Sequence, residues 1–436
     1  MNKKVLIRTY GCQMNEYDSE LITGILTTAG YGVVTDPMDA DIVMLNTCAV
    51  RENANRRVYG KIHDIRHKHP GRPVIGILGC IATNLKNKLL EDKHLKIDFI
   101  AGPDSYKRLP EIIQQACKTH NKIADITFSK IETYEDIVPE RVEGVNAWVA
   151  VMRGCDNFCT FCVVPYTRGR ERSRSVKNIL NEVKQIAREG FPQVTLLGQN
   201  VNSYHDNSRD FADLLAEASK IEAIKRIRFM SPHPKDFSNK LIDVIANNPK
   251  VCKHIHLPLQ SGNTRVLALM NRTYTKKGFL DLVDRIREAC PDVVLTTDII
   301  VGFPTETDNE FNDTVDVLKK IEFDSAFIFK YSQREGTIAA KKYPDDVPEE
   351  KKTARTVLLN ELMQQTALKK NQAMISQTCE ILIEREGNNR SENGWAGRTN
   401  GNKLVLIPDG DYKISQLVNV KITEATPHLL RGIPKS

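Results

Sequence analysis

The chain has no run of about 18 consecutive apolar residues, so no membrane-spanning helix is expected. Its start, "MNKKVLIRTYGC", lacks the apolar core and small-residue cleavage site of a secretory signal and reads as part of the fold. A cytoplasmic location is the expectation. A large excess of one charge is missing too: 62 Lys and Arg against 55 Asp and Glu leave +7, which permits a nucleic-acid partner without demanding one. In a cytoplasmic setting ten cysteines do not suggest a disulfide framework, and metal or redox chemistry is the better use for them. What is present is bulk: 436 residues, 41% of them hydrophobic, suffice for two or three domains with cores of their own.

The pattern of apolar runs divides the chain. Residues 1–118 alternate strand-like stretches ("KKVLIRTY", "ADIVMLNT", "PVIGILG", "IDFIAG") with helical ones ("NEYDSELITGILTTAG", "ANRRVYGKIHDIRHKH", "YKRLPEIIQQACK"), the signature of a parallel α/β sheet. Residues 119–145 are polar and weakly periodic and read as a linker. Over 146–372 the alternation resumes with "AWVAVM", "QVTLLG", "RIRFMS", "HIHLPL", "VLTTDIIVG" and "SAFIFKYS", which predicts a partial (β/α)6 barrel of six units instead of eight, closed by a long helix from about 349. Residues 373–436 hold "TCEILIERE", "GWAGRT", "KLVLIP" and "LVNVKITEA" between Gly, Asn and Asp turns, an all-β module most simply closed as a small barrel. The expected class is therefore α/β with a β-barrel appended.

The cysteines fall at telling places. Cys12, Cys48 and Cys80 each stand just past the carboxyl end of a predicted strand, 36 and 32 residues apart. In a parallel sheet those ends share the edge where ligands bind, so the three thiols should converge. Isolated cysteines elsewhere (Cys117, Cys252, Cys290, Cys379) read as small buried hydrophobes. A second trio, Cys155, Cys159 and Cys162, follows the first barrel strand. Zinc sites close with four ligands, and no second C-x2-C pair lies nearby. A [4Fe–4S] cluster has four irons, so three thiolates leave one iron open to a substrate or cofactor.

"CDNFCTFC" is the radical S-adenosylmethionine signature, and "RTYGCQMNEYDSE", "NTCAVRENA", "ILGC", "RGCDNFCTFCVVPYTRGRERSR" and "LLGQNVNSY" resemble the methylthiotransferases of the MiaB type, which act on tRNA. The carboxyl-terminal stretches "GRTNGNKLVLIP" and "VKITEATPHLLRG" are similar to the RNA-binding TRAM module. The resemblance implies that Cys155, Cys159 and Cys162 hold a [4Fe–4S] cluster that binds S-adenosylmethionine. Cys12, Cys48 and Cys80 would then hold a second, auxiliary [4Fe–4S] cluster. It further implies cleavage of S-adenosylmethionine to a 5′-deoxyadenosyl radical, which removes hydrogen from carbon 2 of an N6-isopentenyladenosine 3′ of the tRNA anticodon. Sulfur from the auxiliary cluster, methylated by another S-adenosylmethionine, then bonds to that carbon. A reducing partner such as flavodoxin or ferredoxin and a monomeric state complete the expectation.

Individual residues follow from the same likeness. Phe161, Gln199, Gly302 and Phe303 are expected cofactor contacts, the last two from "IIVGFPTE", and Ser231, Gln260 and Asp298 join them because they lie near predicted strand ends on the same face. Two basic runs adjoin the cysteines. Residues 51–72 carry seven Lys/Arg against two acids, and residues 163–177 carry five against one. Arg56, Arg57, Lys61, Arg168 and Arg170 are the candidates for tRNA phosphates, with a solvated surface as the plain alternative. Part of the second run could instead bind the cofactor carboxylate. Relatives that modify threonylcarbamoyl-adenosine in tRNA or a ribosomal-protein aspartate use the same cysteines. A non-catalytic iron–sulfur RNA-binding protein is the alternative from another class.

Overall fold

In the computed structural model, residues 3–49, 52–69, 71–92, 94–119, 121–141, 144–388 and 391–435 are described, without the side chains of 52–57, 87, 388 and 391–393. The first unit is a six-stranded parallel sheet in the order β2-β1-β3-β4-β5-β6. Its strands are β1 (Lys4–Tyr10), β2 (Gly32–Val33), β3 (Ile42–Thr47), β4 (Val74–Gly79), β5 (Phe99–Ala101) and β6 (Ile123–Asp125). All six residues of β3 are buried, as a central strand covered on both faces must be. Helices α1 (Gln13–Thr28), α2 (Glu52–Lys68), α3 (Cys80–Leu85) and α4 (Leu109–Thr119) connect them. Their apolar residues split between two cores, one around Leu21, Ile22 and Phe99, the other around Val58, Ile62 and Ile77. The segment read as a linker is not merely one. It supplies β6, a three-residue edge strand too short and polar to show periodicity, and the fully buried Tyr134.

The second unit holds six parallel strands, β7 (Asn146–Ala150), β8 (Gln193–Leu197), β9 (Arg226–Phe229), β10 (His254–His256), β11 (Val294–Val301) and β12 (Ser325–Lys330). They form two three-stranded sheets, β9-β8-β7 and β10-β11-β12. A parallel bridge between Ile227 and Val251 joins them, supported by Cys252 N–H donating to the Ile227 carbonyl at 2.9 Å. The expected partial barrel is what results. Alternation fixes its two surfaces: Leu295, Thr297, Ile299 and Val301 of β11 are buried, while Thr296, Asp298 and Ile300 are half-buried on the other face. Ala326 and Ile328 of β12 pack on the core that includes Leu359 and Met363 of the long helix, so Phe327 and Phe329, paired with Asp298 and Ile300, face the lumen. Helices α5 (Val164–Arg168), α6 (Val176–Arg188) and, after others, α7 (Glu349–Gln372) belong to this unit.

The third unit is a closed barrel in the order β13-β14-β15-β17-β16, from β13 (Thr378–Asn388), β14 (Ser391–Thr399), β15 (Leu404–Ile407), β16 (Leu417–Ala425) and β17 (Leu430–Pro434). Its turn at 399–403 docks on the amino ends of the larger barrel's strands. Arg228 of β9 donates to the carbonyls of Thr399 (2.9 Å) and Asn400 (3.1 Å), and Arg226 at the start of that strand to that of Arg398 (2.6 Å). Lys403 pairs with Asp324 at 2.8 Å. A Cβ on Gly401 would stand 2.5 Å from Cγ2 of Val294, so only glycine permits this approach. The small barrel thus sits at the end of the larger one opposite the cysteine-bearing loop after β7.

Candidate active site between two cysteine-bearing edges

Sheet register brings the first trio together. Tyr10 of β1 pairs with Thr47 of β3, and Thr47 with Gly79 of β4, so Cys12, Cys48 and Cys80 follow aligned positions at one carboxyl edge. Two glycines allow the crowding. A Cβ on Gly11 would lie 2.9 Å from Cβ of Cys48, and Gly79, at φ 84°, turns the chain straight from β4 into α3 at Cys80. Fully buried Asn15 sits beneath: its Oδ1 lies 3.4 Å from the Cys12 thiol, and its Nδ2 donates to Asn46 Oδ1 at 3.1 Å. The Cys12 thiol is pulled down to about 6, chiefly by its hydrogen bond with Cys48 and against the effect of burial. Burial pushes the Cys80 thiol up, although Arg168 beside it acts to lower it.

The second trio occupies the loop after β7. A Cβ on Gly154, at φ 78°, would collide with the Arg170 carbonyl oxygen at 2.0 Å, so the residue before Cys155 is confined to glycine. Thr160 anchors the loop, its N–H donating to the Met270 carbonyl (3.0 Å) and its hydroxyl to that of Leu269 (2.8 Å). Burial pushes the Cys155 thiol up to about 11 and that of Cys162 up to about 12. Such thiols stay protonated at neutral pH unless a positive group or metal draws off the proton.

The two edges face each other. Val163, next to Cys162, packs against Cys80 and Ala49. Arg168 of α5 reaches across, Nε 3.1 Å from Cys80 Sγ and Nη2 2.7 Å from Asp18 Oδ2. Arg153 takes the other oxygen of Asp18 at 2.7 Å and lies over the Tyr134 ring. Burial works to raise the Asp18 carboxyl, but the two guanidinium groups hold it below the usual carboxylate range. Arg172 pairs with Asp104 of the first unit at 2.8 Å, and Arg174 donates to the Tyr17 hydroxyl of α1 at 3.0 Å while pairing with Glu182 of its own unit at 2.7 Å, all of these side chains buried. The basic run "TRGRERSR" is therefore mostly an inter-domain clasp. Arg168, expected on RNA phosphates, is corrected here: its side chain is 3% exposed and lies too deep to meet a phosphate. Arg170 is different, 73% exposed, paired with Asp156 at 2.5 Å and set over the Phe158 ring. Lys61 is half-buried on α2; the side chains of Arg56 and Arg57 lie outside the described ones.

The remaining expected residues sort by position. Gln199 follows β8, and its Oε1 is buried without a hydrogen-bond partner, an acceptor waiting for a donor. Ser231 and Gln260 follow β9 and β10 with φ of 61° and 69°, uncommon backbone for such residues and typical of a functional rim. Asp298, expected near a strand end, instead lies within β11 and faces the lumen, its Oδ2 3.3 Å from His256 Nε2. Gly302 is where Lys352 packs against the backbone, a Cβ there lying 2.4 Å from Lys352 Cγ. Phe303 is corrected as a cofactor contact: it is 0% exposed, enclosed by Tyr331 and Tyr343, and offers no ring face to a ligand. Phe161 packs beside that same cluster. Sequence reading missed Asn15, Asp18, Arg272 and His233, whose buried Nε2 has no partner. Asn15 and Asp18 lie inside the quoted "QMNEYDS" but gave no periodic signal; Arg272 and His233 gave none either.

The donors suit iron–sulfur clusters. Among the described residues no group of three His, Cys, Asp or Glu side chains could hold a single metal ion. Three thiols at each edge are the donor type that a [4Fe–4S] cluster takes, one thiolate to an iron with one iron left open. The orphaned Gln199 oxygen beside the second trio fits a cofactor bound there.

The fold and the two thiol groups define a radical S-adenosylmethionine enzyme with an appended β-barrel. Family profiles match accordingly: the radical SAM superfamily over residues 149–318, the TRAM domain over 372–435 and a so far uncharacterised protein family over 4–102. The chain is 46% identical to the tRNA-2-methylthio-N(6)-dimethylallyladenosine synthase of Caldicellulosiruptor saccharolyticus, over 99% of this chain and 92% of that one. It is 44% identical to the synthase of the same name from Bacillus cytotoxicus, over 99% and 85%. It belongs to the radical SAM methylthiotransferases of the tRNA-2-methylthio-N(6)-dimethylallyladenosine synthase family. Among solved structures, the radical S-adenosylmethionine methyltransferase TsrM of Kitasatospora setae shares the fold, with TM-score 0.59 at 13% identity over 78% of this chain and 74% of that one.

Proposed function

We propose that this chain attaches a methylthio group to carbon 2 of N6-isopentenyladenosine beside the anticodon of tRNA. The observation that supports it most is the pairing of two cysteine trios on facing sheet edges, with Val163 and Arg168 closing the gap between them. Cys155, Cys159 and Cys162 hold the cluster that binds S-adenosylmethionine, and Cys12, Cys48 and Cys80 the auxiliary one. When bound, these groups supply radical cleavage of the cofactor and the sulfur to be transferred.

The chain's own residues position and exclude. Gln199 Oε1 accepts from the cofactor's amino group, and the strained rim at Ser231 and Gln260 shapes the mouth. The clasp of Asp18, Arg153 and Arg168 keeps water from the join between the edges. Arg170 and the basic residues Arg56, Arg57 and Lys61 of α2 meet phosphates, and the third unit adds RNA surface. A target carbon in a single-stranded loop can be splayed out at little cost. The electron comes from a small low-potential protein such as flavodoxin or ferredoxin, and the enzyme acts as a monomer. Relatives at 42–46% identity carry the isopentenyl-type name, which favours that substrate over a threonylcarbamoyl-adenosine or a ribosomal aspartate. Nucleoside mass spectrometry of tRNA from a deletion strain tests this. Loss of 2-methylthio-N6-isopentenyladenosine with build-up of the unthiolated nucleoside is expected. Unchanged tRNA nucleosides would reject the reading.

A further inference from the structure

Each cysteine trio receives one buried guanidinium. Arg168 Nε lies 3.1 Å from Cys80 Sγ, and Arg272 Nη1 lies 3.3 Å from Cys159 Sγ. Neither side chain is free to swing away. Arg272 is 8% exposed, with Nε donating to the Tyr274 hydroxyl (2.9 Å) and Nη2 to the Pro258 carbonyl (3.1 Å). Arg168 is fixed by Asp18.

The charge count around both is unbalanced. No carboxylate among the described residues pairs with Arg272, whose other partners are a phenol and a carbonyl. Asp18 is shared between Arg153 and Arg168, two cations to one anion, and Nη1 of Arg168 is buried with no partner. A buried cation without a counter-charge is costly, so each site calls for a negative group at the sulfur it already touches. A cluster on three thiolates is anionic and becomes more so on accepting an electron. An adjacent fixed cation that hydrogen-bonds to a ligand sulfur therefore stabilises the reduced form more than the oxidised one.

We propose that Arg168 and Arg272 are positioning residues that raise the reduction potentials of the two clusters separately, Arg168 through Cys80 and Arg272 through Cys159. The arrangement lets one low-potential, one-electron donor serve both clusters while each keeps its own setting. This rests on the assignment of the trios under the proposed function. Iron counts on the two triple-cysteine variants check that assignment apart from the tuning: if a trio is removed and no iron is lost, it is the assignment that fails.

The test is a potentiometric titration of the anaerobically reconstituted enzyme, followed by electron paramagnetic resonance of the reduced clusters. Each triple-cysteine variant serves as the reference for the single cluster it retains. In Arg272→Gln the cluster on Cys155, Cys159 and Cys162 should show at least a tenfold fall in the reduced-to-oxidised ratio at fixed potential. That is about 59 mV for a one-electron couple. The auxiliary cluster should be unmoved. Arg168→Gln should do the converse. Should Arg168→Gln fail to hold iron because Asp18 loses a partner, Arg168→Lys keeps the charge for Asp18 but not the Nε–H donor at Cys80. It should still lower the auxiliary potential alone. Iron-loaded variants in which neither potential moves, or in which both move together, would overturn the proposal.

Discussion

Asp18 carries one negative charge against two guanidinium groups, all three shut away from water at the join of two domains. Replacing it with Asn leaves Arg153 and Arg168 as buried, unneutralised cations, so Asp18→Asn should cost about 3–5 kcal/mol of stability, read from chemical unfolding of the iron-free protein. A loss below about 1 kcal/mol would mean that water reaches these arginines. The same helix also holds a pH-sensitive group. Burial raises the Glu20 carboxyl from 4.5 to about 8, with nearby Arg141 opposing and Glu182 reinforcing the shift. An acid held above its unfolded value keeps its proton in the folded state, so its contribution is full below about 4.5 and is lost as pH rises towards 8. Glu20→Gln should therefore flatten the decline of melting temperature between those limits and stabilise the protein at its upper end. An equal slope in both proteins would show that Glu20 ionises freely.

At the scale of elements, α2 leaves the edge that carries Cys48 and bears the basic residues Arg56, Arg57 and Lys61. Each phosphate they neutralise steepens the dependence of log affinity on log salt by nearly one unit. Changing all three to Ala should flatten that slope by roughly two to three units in filter binding of isopentenylated tRNA, with iron content unchanged. A slope that stays the same would take α2 off the RNA surface. Elements are also where the sequence is most readable. Central strands such as β3 announce themselves as unbroken apolar runs, and α6 has its Ser175 cap and regular buried spacing. The cysteines were placed correctly because strand ends in a parallel sheet have only one edge to share. β6 escaped notice because three half-exposed residues carry no period. Arg168 differs from its expected place for a related cause: a charge run looks the same whether it meets water or buried carboxylates 68 to 150 residues away. Local pattern cannot reveal a partner that distant. Phe303 likewise reads as a ligand contact from its motif, and only packing shows it walled in.

Under the proposed function the whole molecule has two separable cysteine trios for iron–sulfur clusters, and iron content should show it. Reconstituted protein should bind about eight irons, and about four after Cys12, Cys48 and Cys80, or Cys155, Cys159 and Cys162, are changed to Ala. The variant without the first trio should still release 5′-deoxyadenosine but transfer no sulfur, and sulfur transfer by it would contradict the auxiliary role. The three units also meet in a fixed order, the α/β sheet on the carboxyl side of the central barrel and the small barrel on its amino side. The turn at 399–403 therefore covers the amino side of the central barrel and leaves the carboxyl side for its chemistry. With cofactor and nucleic acid both approaching that carboxyl face, the small cofactor is expected to go in ahead of the bulky nucleic acid, and its spent fragments to leave after that acid lifts away. Traffic through one door has a kinetic mark: tRNA bound beforehand should slow cofactor entry in stopped-flow mixing, and equal entry rates would mean a second way in.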